Sequence, residues 1–446
     1  MAGFVLPGSD TCFKISGYIT GQVEAGNLKT AYSWAYGSGA NTGLAAVISP
    51  NALNGVGFGR SVFGWTTRLN LDVDARSDTA YGVLRGYAEM QFENGSGFDN
   101  TGTGAYINRA FIQWAGITAG KANSFFSFLG GGEGWANFFS PDQQGFNQPD
   151  LLAYTATFGG GFSATLALQS PGTNGNSGGG TQLGANGATA AGLTGATGGP
   201  LVFGLNNAYG GQYWPDIVGV LRVDQGWGSA QLSGVGHEVR VQDTLGNSDI
   251  TWGYAVLGGV KVNFPSLGPG DNFGIQGVWS RNAFWYSGIP DGMWGENGAV
   301  NGNGLAMVPA DTWSNGDGSW ASPEAWSIEA FYEHHFNAQW SGALEASYAQ
   351  VNWSGLASNI AGGTESGGVF TPSNAVGTSI PKNAQSWIVG AVAHWDPVVN
   401  LDFEFELLYQ STHQSTPLGA VLVSPVAQFP SNAQGVAGRF EVTRSF

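Results

Sequence analysis

The chain has 446 residues, and only 10% are Asp, Glu, Lys or Arg, against roughly 25% in typical soluble proteins. Asp and Glu number 31 and Lys and Arg 15, so the net charge is −16. This balance argues against binding of nucleic acid phosphates and predicts attraction of cations. The sequence has no run of about 18 apolar residues, so we expect no transmembrane helix.

Apolar and polar residues alternate at period two in segments along the whole chain, a pattern that predicts β-strands with two different faces. In the segment 65–76, Trp65 and Leu69 fall on one face and all the charged residues on the other. The segment lengths centre near the roughly 10 residues that a tilted strand needs to cross a bilayer. The predicted strands are 13–24, 63–76, 80–92, 104–115, 116–122, 150–158, 161–169, 213–224, 228–240, 250–263, 271–281, 324–336, 339–351, 384–396, 399–410 and 437–446.

Short and long connections alternate between these strands, which is typical of a transmembrane barrel with tight periplasmic turns and long outer loops. The short ones are predicted at 77–79, 159–160, 225–227, 265–269, 337–338 and 397–398. The long ones are 25–62, 93–103, 123–149, 170–212, 241–249, 282–323, 352–383 and 411–436. Sixteen strands result, and the apolar stretch 201–209 leaves eighteen open as an alternative.

The predicted fold is therefore all-β: a closed antiparallel transmembrane barrel that forms one domain over residues 1–446. Closure is required because an open sheet edge would leave backbone groups unpaired in hydrocarbon. A ring of sixteen strands is too wide for side chains to fill, so we expect a water-filled lumen lined by the polar faces. Aromatic residues near strand ends suit the membrane–water interface. They include Trp252, Trp326, Trp340, Trp387, Trp395 and Tyr409.

The last predicted strand alternates Phe440, Val442 and Phe446 against polar residues. A chain that ends on an aromatic within such a strand resembles an outer-membrane barrel, and we expect the strand that ends at Phe446 to close the ring. Five stretches together resemble the alphaproteobacterial general porin family, and they lie at residues 7–18, 71–77, 109–116, 120–126 and 215–225. That resemblance implies a trimer of sixteen-stranded barrels, a third loop that folds into the lumen, and passive diffusion of small hydrophilic solutes.

Candidate selectivity residues follow from this arrangement. If the third long connection, 123–149, folds inward, it faces a basic wall at the constriction that we expect to consist of Arg68, Arg85, Arg109 and Lys121. Hairpin pairing is expected to set Asp72 near Arg85 and Glu89 near Arg68. Further pore-lining residues are expected at Lys14, Asp72, Asp74, Arg76, Glu89, Asp402, Glu404 and Glu406. Salt bridges across neighbouring strands are an alternative role for the arginines, and both roles are compatible.

The predicted constriction loop is poor in charge and rich in aromatic residues. Its acidic residues are Glu133 and Asp142, and its aromatic residues include Phe125, Phe126 and Trp135. We expect the rings to anchor the loop against the barrel wall, and an aromatic strip for sugars or flat solutes is the alternative. The loop therefore predicts no strong transverse electric field, unlike the pattern that the family implies.

Catalytic chemistry is not indicated. The carboxylates at 402, 404 and 406 share one face, but a wide wet lumen does not raise a carboxyl pKa as a general acid requires. The histidines lack metal-site spacing, and we expect surface or interfacial roles for them, with His394 facing lipid beside Ile388 and Gly390. We expect no metal, cofactor or nucleic acid. A membrane-embedded barrel hydrolase and a secreted adhesive β-protein remain as alternatives.

The sequence thus predicts a homotrimeric porin in the outer membrane of a Gram-negative bacterium, in contact with membrane lipid and lipopolysaccharide. It would pass small hydrophilic solutes and ions by diffusion, with a mild preference for cations that the basic wall moderates.

Overall fold

Sixteen strands of 5 to 18 residues form the antiparallel barrel sheet in the computed structural model of the chain. They are β1 (Cys12–Gly26), β2 (Phe63–Thr79), β3 (Gly82–Gly97), β4 (Thr103–Trp114), β5 (Ile117–Lys121), β6 (Asp150–Gly159), β7 (Phe162–Gln169), β8 (Asp216–Gln225), β9 (Gly228–Gln242), β10 (Ser248–Asn263), β11 (Asn272–Arg281), β12 (Trp320–Asn337), β13 (Trp340–Ser354), β14 (Ala384–Val398), β15 (Leu401–Gln414) and β16 (Asn432–Ser445).

The structure describes only part of the chain, and all structural statements concern that part. The described residues are 3–5, 8, 10–26, 63–97, 103–130, 139–141, 148–170, 201–202, 208–209, 213–242, 248–289, 311–314, 319–355, 363–366, 369–372, 383–414 and 432–446.

The sheet closes on itself because β1 pairs with both β2 and β16. Phe446 extends this last ladder: its N–H donates to the carbonyl of Gly17 at 2.9 Å, and the Gly17 N–H donates back at 3.1 Å. Each barrel strand thus has two neighbours, so the prediction of a closed sixteen-stranded barrel is confirmed. Among the described residues no helix has the length and apolar character needed to cross a membrane.

The stretch 201–209 does not add a hairpin to the ring. Leu201–Val202 pairs with Gly363 and Thr364 in a small separate sheet, whereas Ala208–Tyr209 pairs with the last two residues of β9. The barrel therefore has sixteen strands, and the alternative of eighteen is wrong.

Seven short connections and the end of β16 lie at one end of the barrel, called the turn end, and the strand ends that lead into the long connections define the opposite loop end. The turn between β2 and β3 consists of residues 80–81, so Asp72 lies opposite Glu89 and Arg76 opposite Arg85. The expected pairings of Asp72 with Arg85 and of Glu89 with Arg68 are wrong. The predicted turn is centred two residues before the observed one. Each residue of β2 is therefore paired with a residue of β3 four positions later than expected.

The outward face of the barrel is apolar at mid-height. Leu166, Leu221, Leu232, Leu344 and Phe405 are each exposed by more than half. Within the described strands, outward charged side chains lie near strand ends, for example Arg281 and Arg444. An apolar belt with charge confined to its margins is the surface that a bilayer requires of a barrel.

The inward face is polar in some strands and apolar in others. Small and branched apolar side chains of β6–β11 are buried together with four residues of the connecting segments, Ala122, Phe126, Ala283 and Tyr286. This set is called the Phe126 cluster: Ala122, Phe126, Leu151, Ala153, Ala167, Val218, Val220, Val235, Ala255, Leu257, Val278, Ala283 and Tyr286. A second set, the Phe139 cluster, covers β12–β16: Phe139, Phe284, Ile289, Ala325, Ala349, Val351, Ala384, Ile388, Leu408 and Ala437. Both sets are hydrophobic cores inside the ring, formed where connecting segments fold onto the wall.

The turn between β10 and β11 is fixed by a single carboxylate. Asp271 accepts hydrogen bonds from the backbone N–H of His335 at 2.9 Å and from the Tyr332 hydroxyl at 3.1 Å, and its Oδ2 lies 2.7 Å from His334 Nδ1. The pKa of Asp271 is lowered, first by the backbone donor and then by the two side chains. The carboxylate therefore joins the turn to β12 across the sheet.

Stability in acid should depend on Asp271. Because its pKa is lower in the folded protein, its contribution is complete above the unfolded value of 3.8 and is lost as the pH falls through the folded pKa. We expect Asp271→Asn to lower the urea midpoint of the detergent-solubilised barrel at neutral pH and to remove part of the decline in acid. Tryptophan fluorescence measures both effects. Parallel pH profiles for wild type and variant would contradict this role.

Candidate functional site

The inward face of β1–β4 carries a dense set of charged side chains. In the ladders, Lys14 lies opposite Asp74, Thr20 opposite Arg68, and Glu89 opposite Arg109. The predicted lining residues Lys14, Asp72, Asp74, Arg76 and Glu89 are all on this face, together with Arg68, Arg85 and Arg109. The sequence thus placed these residues on the correct side of the sheet.

Each arginine of this wall has a carboxylate partner on the same or the neighbouring strand. Arg68 Nη2 lies 2.6 Å from Glu93 Oε1, and Arg85 binds Asp74 through Nε and Nη2 at 3.1 and 3.0 Å. Further pairs join Arg109 to Glu89 and Arg76 to Asp74. The wall is therefore a network of alternating charges rather than a purely basic surface. Tyr87 extends the network by donating from its hydroxyl to Asp72 at 3.1 Å.

Lys121 does not belong to this wall. The two-residue turn at 115–116 pairs Lys121 with Ala110, one position beyond Arg109, so alternation puts its side chain on the outward face. Its ammonium donates to the carbonyl of Ile107 at 2.9 Å. The prediction of Lys121 in the constriction wall is wrong, because its strand faces were assigned without the register of this turn.

A second charged group lies on the inward faces of β15 and β16. Asp402, Glu404 and Glu406 occupy alternate positions, and Glu441 lies directly opposite Glu404. Arg439 lies opposite Glu406 and is almost completely buried. Its Nε donates to Glu24 Oε1 at 2.9 Å and its Nη1 to Glu406 Oε2 at 3.2 Å. The cation thus links three strands across the seam where the ring closes.

The start of the long connection after β5 lies against the inner wall. The side-chain amide of Gln231 on β9 donates to the carbonyls of Phe125, Phe126 and Ser127 at 3.0–3.3 Å. Gln276 on β11 accepts from the Leu129 N–H at 2.9 Å. Inward-facing glutamines therefore bind the loop backbone.

Later residues of the same connection continue along the wall. The N–H of Phe139 donates to Ser347 Oγ on β13 at 2.9 Å. Phe126 is completely buried, which fits the predicted anchoring role of the aromatic residues. The predicted loop residues Glu133, Trp135 and Asp142 lie outside the described residues.

The sequence analysis did not predict a buried polar cluster around His237 at the loop end of the barrel. His237 is only 4% exposed, with Nδ1 at 2.7 Å from Asp216 and Nε2 at 3.4 Å from Asp311. Tyr286, in the short 3-10 helix Phe284–Ser287, donates to Asp216 and accepts from Gln169 at 2.7 Å. The expected surface or interfacial role of His237 is therefore wrong. Apolar residues at the inward positions Val218 and Val220 of β8 were the signal that packed side chains, rather than water, cover this part of the inner wall.

His394 faces inward, so its predicted orientation toward lipid is wrong. Ile388 shares its face and belongs to the Phe139 cluster, whereas Trp387 and Trp395 are on the outward face. The β14–β15 hairpin places His394 opposite Glu404 and within 3.2 Å of Asp402 Oδ2. One donor atom from each of these three residues lies within 4.8 Å of the others. No motif within a single segment marks this group, because the hairpin brings its members together.

A charged lumen wall, an outward apolar belt and inward-folded segments are typical of a membrane channel. Comparison with known proteins identifies the family to which this channel belongs. A family model described as "Porin subfamily" matches residues 1–440. The chain belongs to this porin family. Porin Omp2b of Brucella abortus (strain 2308) is 27% identical over 311 residues, which cover 67% of each protein, and Porin Omp2b of Brucella melitensis biotype 1 is 27% identical over 313 residues, also 67% of each.

One solved structure has the same architecture over its full length. The outer membrane channel DcaP of Acinetobacter baumannii is 12% identical, covers 100% of both chains and superimposes with a TM-score of 0.60, which shows a shared fold. Family and fold together confirm the predicted function and location. This porin lies in the outer membrane of a Gram-negative bacterium, where it forms a channel for passive diffusion of small hydrophilic solutes.

Proposed function

We propose that solutes pass this porin through a constriction between its inward segments and the charged wall of β1–β4, β15 and β16, with a mild preference for cations. The Phe126 and Phe139 clusters cover much of the inner surface of β6–β14 and, through Leu408 and Ala437, the loop-end part of β15 and β16, which leaves the arginine–carboxylate network facing the aqueous path. We assign the remainder of the connection 123–149 to the same constriction.

The charge pattern of the wall carries this proposal. On its inward faces the carboxylates outnumber Lys and Arg: Asp72, Asp74, Glu89, Glu93, Asp402, Glu404 and Glu441 against Lys14, Arg68, Arg76, Arg85 and Arg109. The buried group of Glu24, Glu406 and Arg439 likewise holds two carboxylates and one guanidinium. Fixed charges in a narrow passage with low-dielectric walls sort ions by sign. The arginines are matched by carboxylate partners, so the acidic excess determines the preference.

Neutralising the arginines should make the pore more selective for cations. Each charge removed at roughly 8 Å from the ion path changes the ion energy by about 0.5 kcal/mol in a water-like medium, or about twofold in the permeability ratio. We expect Arg68→Gln with Arg85→Gln to shift the reversal potential in a KCl gradient toward the cation value. Planar-bilayer recording measures this shift.

Two matched variants test whether the removed arginine charges cause the shift of the reversal potential. Glu93→Gln with Asp74→Asn removes the partner carboxylates and should shift the reversal potential in the opposite direction. Arg444→Gln removes an outward-facing guanidinium at the turn end, which binds the Asn400 carbonyl, and should leave the potential unchanged. If the arginine variants behave like Arg444→Gln, the ion path does not pass this wall.

We further propose that the porin assembles as a homotrimer within outer-membrane lipid and lipopolysaccharide, and that it is a channel rather than an enzyme. Membership of the porin family and the general preference of homo-oligomers for closed symmetry support the trimer. Native mass spectrometry from detergent should give three chains per particle. A single chain per particle under conditions that preserve conductance would contradict the trimer.

A further inference from the structure

Three potential metal ligands meet on the lumen wall of the β14–β15 hairpin. His394 lies opposite Glu404 in the ladder, and Asp402 lies two residues before Glu404 on the same inward face. His394 Nδ1 is 3.2 Å from Asp402 Oδ2 and 3.4 Å from Oδ1. Two ligands at about 2.05 Å from a tetrahedral ion are about 3.3 Å apart, so this pair already has the spacing of two metal ligands.

A neighbouring carboxylate provides an independent indication of a cation. Glu441 lies directly across the next ladder from Glu404 and is 9% exposed. Its Oε1 accepts from Thr443, but its Oε2 is buried without a hydrogen-bond partner among the described residues. A buried carboxylate oxygen is costly to leave unmatched, particularly beside two further carboxylates. A cation, or water bound to a cation, would satisfy it.

The group is also accessible to a hydrated ion. The side chain of His394 is 20% exposed and that of Asp402 is 29% exposed, both on the lumen side. An ion bound to three protein ligands could therefore keep water in its remaining positions. Glu441, the ladder partner of Glu404, would accept a hydrogen bond from such a water, as outer-shell carboxylates do around many metal sites.

The donor chemistry selects the class of metal. Calcium and magnesium prefer oxygen ligands, whereas an imidazole nitrogen with two carboxylates suits zinc and the neighbouring transition metals. We propose that His394, Asp402 and Glu404 bind one divalent ion of the zinc class on the pore wall, with Glu441 as an outer-shell acceptor. The bound ion would reduce the local negative charge beside the ion path and weaken the preference for cations.

Metal binding can be measured directly on the folded porin in detergent. The protein is stripped with a chelator, and zinc is titrated by isothermal calorimetry in chloride buffer. We expect one ion per chain, and a loss of affinity of more than about tenfold in His394→Gln and in Asp402→Asn. His413→Gln is the matched control, because His413 is an exposed residue at the loop end of the same hairpin, and its affinity should equal that of wild type. Heat-modifiable gel mobility verifies that each variant is folded.

The outcomes that overturn the site are distinct. Absence of binding, equal loss in His413→Gln, or calcium binding in preference to zinc would each refute it. X-ray absorption of wild type with one equivalent of zinc requires no variant. It should show an imidazole contribution with nearest ligands at about 2.0–2.1 Å, and a shell without imidazole would refute the assignment. Because porin conductance without zinc is measured separately, failure of this site leaves the channel assignment untouched.

Discussion

Replacing Arg439 with leucine should destabilise the folded barrel by about 3–5 kcal/mol, the usual consequence of removing one partner from a buried ion pair. Arg439 is 3% exposed and contacts the carboxylates of Glu24 and Glu406, which are both 1% exposed. Without the guanidinium, two neighbouring carboxylates remain in a site that water hardly reaches. The seam between β16 and β1 closes the ring, so the loss acts on the ladder that joins the first and last strands of the barrel.

Urea unfolding in detergent micelles, followed by tryptophan fluorescence, measures this effect. The triple variant Arg439→Leu, Glu24→Gln, Glu406→Gln should recover most of the lost stability, because the buried charges are then absent. Arg222→Leu is the control, since Arg222 pairs with Asp224 in an exposed position, where ion pairs contribute about 0–1 kcal/mol. Equal effects of the two single arginine variants would show that the Arg439 site is solvated.

Loosening the loop anchor should enlarge the pore. Phe126→Ala removes a completely buried ring from the Phe126 cluster and should cost the attachment of the inward segment about 3–5 kcal/mol. Gln231→Leu removes the amide that binds three consecutive carbonyls of the same segment. In the double variant we expect a higher single-channel conductance and more open-channel noise.

The barrel itself should persist in that variant, because the strand ladders do not depend on the loop. Phe162→Ala provides a matched control, since Phe162 is a half-exposed ring on the outward face of β7. Its conductance should equal that of wild type. A double variant with unchanged conductance and noise would mean that residues 122–130 do not limit the ion path.

Strand positions and faces were predictable from sequence because alternation is a local property of the extended backbone. The outward Trp65 and inward Arg68 of β2 follow directly from their spacing. Where strand pairing or side-chain burial depends on segments far apart in the chain, the sequence-based predictions were wrong or missing. Lys121 and His394 were assigned to the wrong faces, and the register of the β2–β3 hairpin was displaced.

The sequence by itself determined a closed antiparallel barrel of sixteen or eighteen strands, its apolar belt and the charged inward face of β1–β4, since these follow from period-two alternation and connection length. Tertiary structure alone decided which charges meet. Two-residue turns set the register that pairs Arg68 with Glu93, and hairpin closure brings His394 to Asp402. The tertiary structure also decided that Phe126 and Phe139 are buried inside the ring. Packing between segments far apart in the chain leaves no local pattern in the amino-acid sequence.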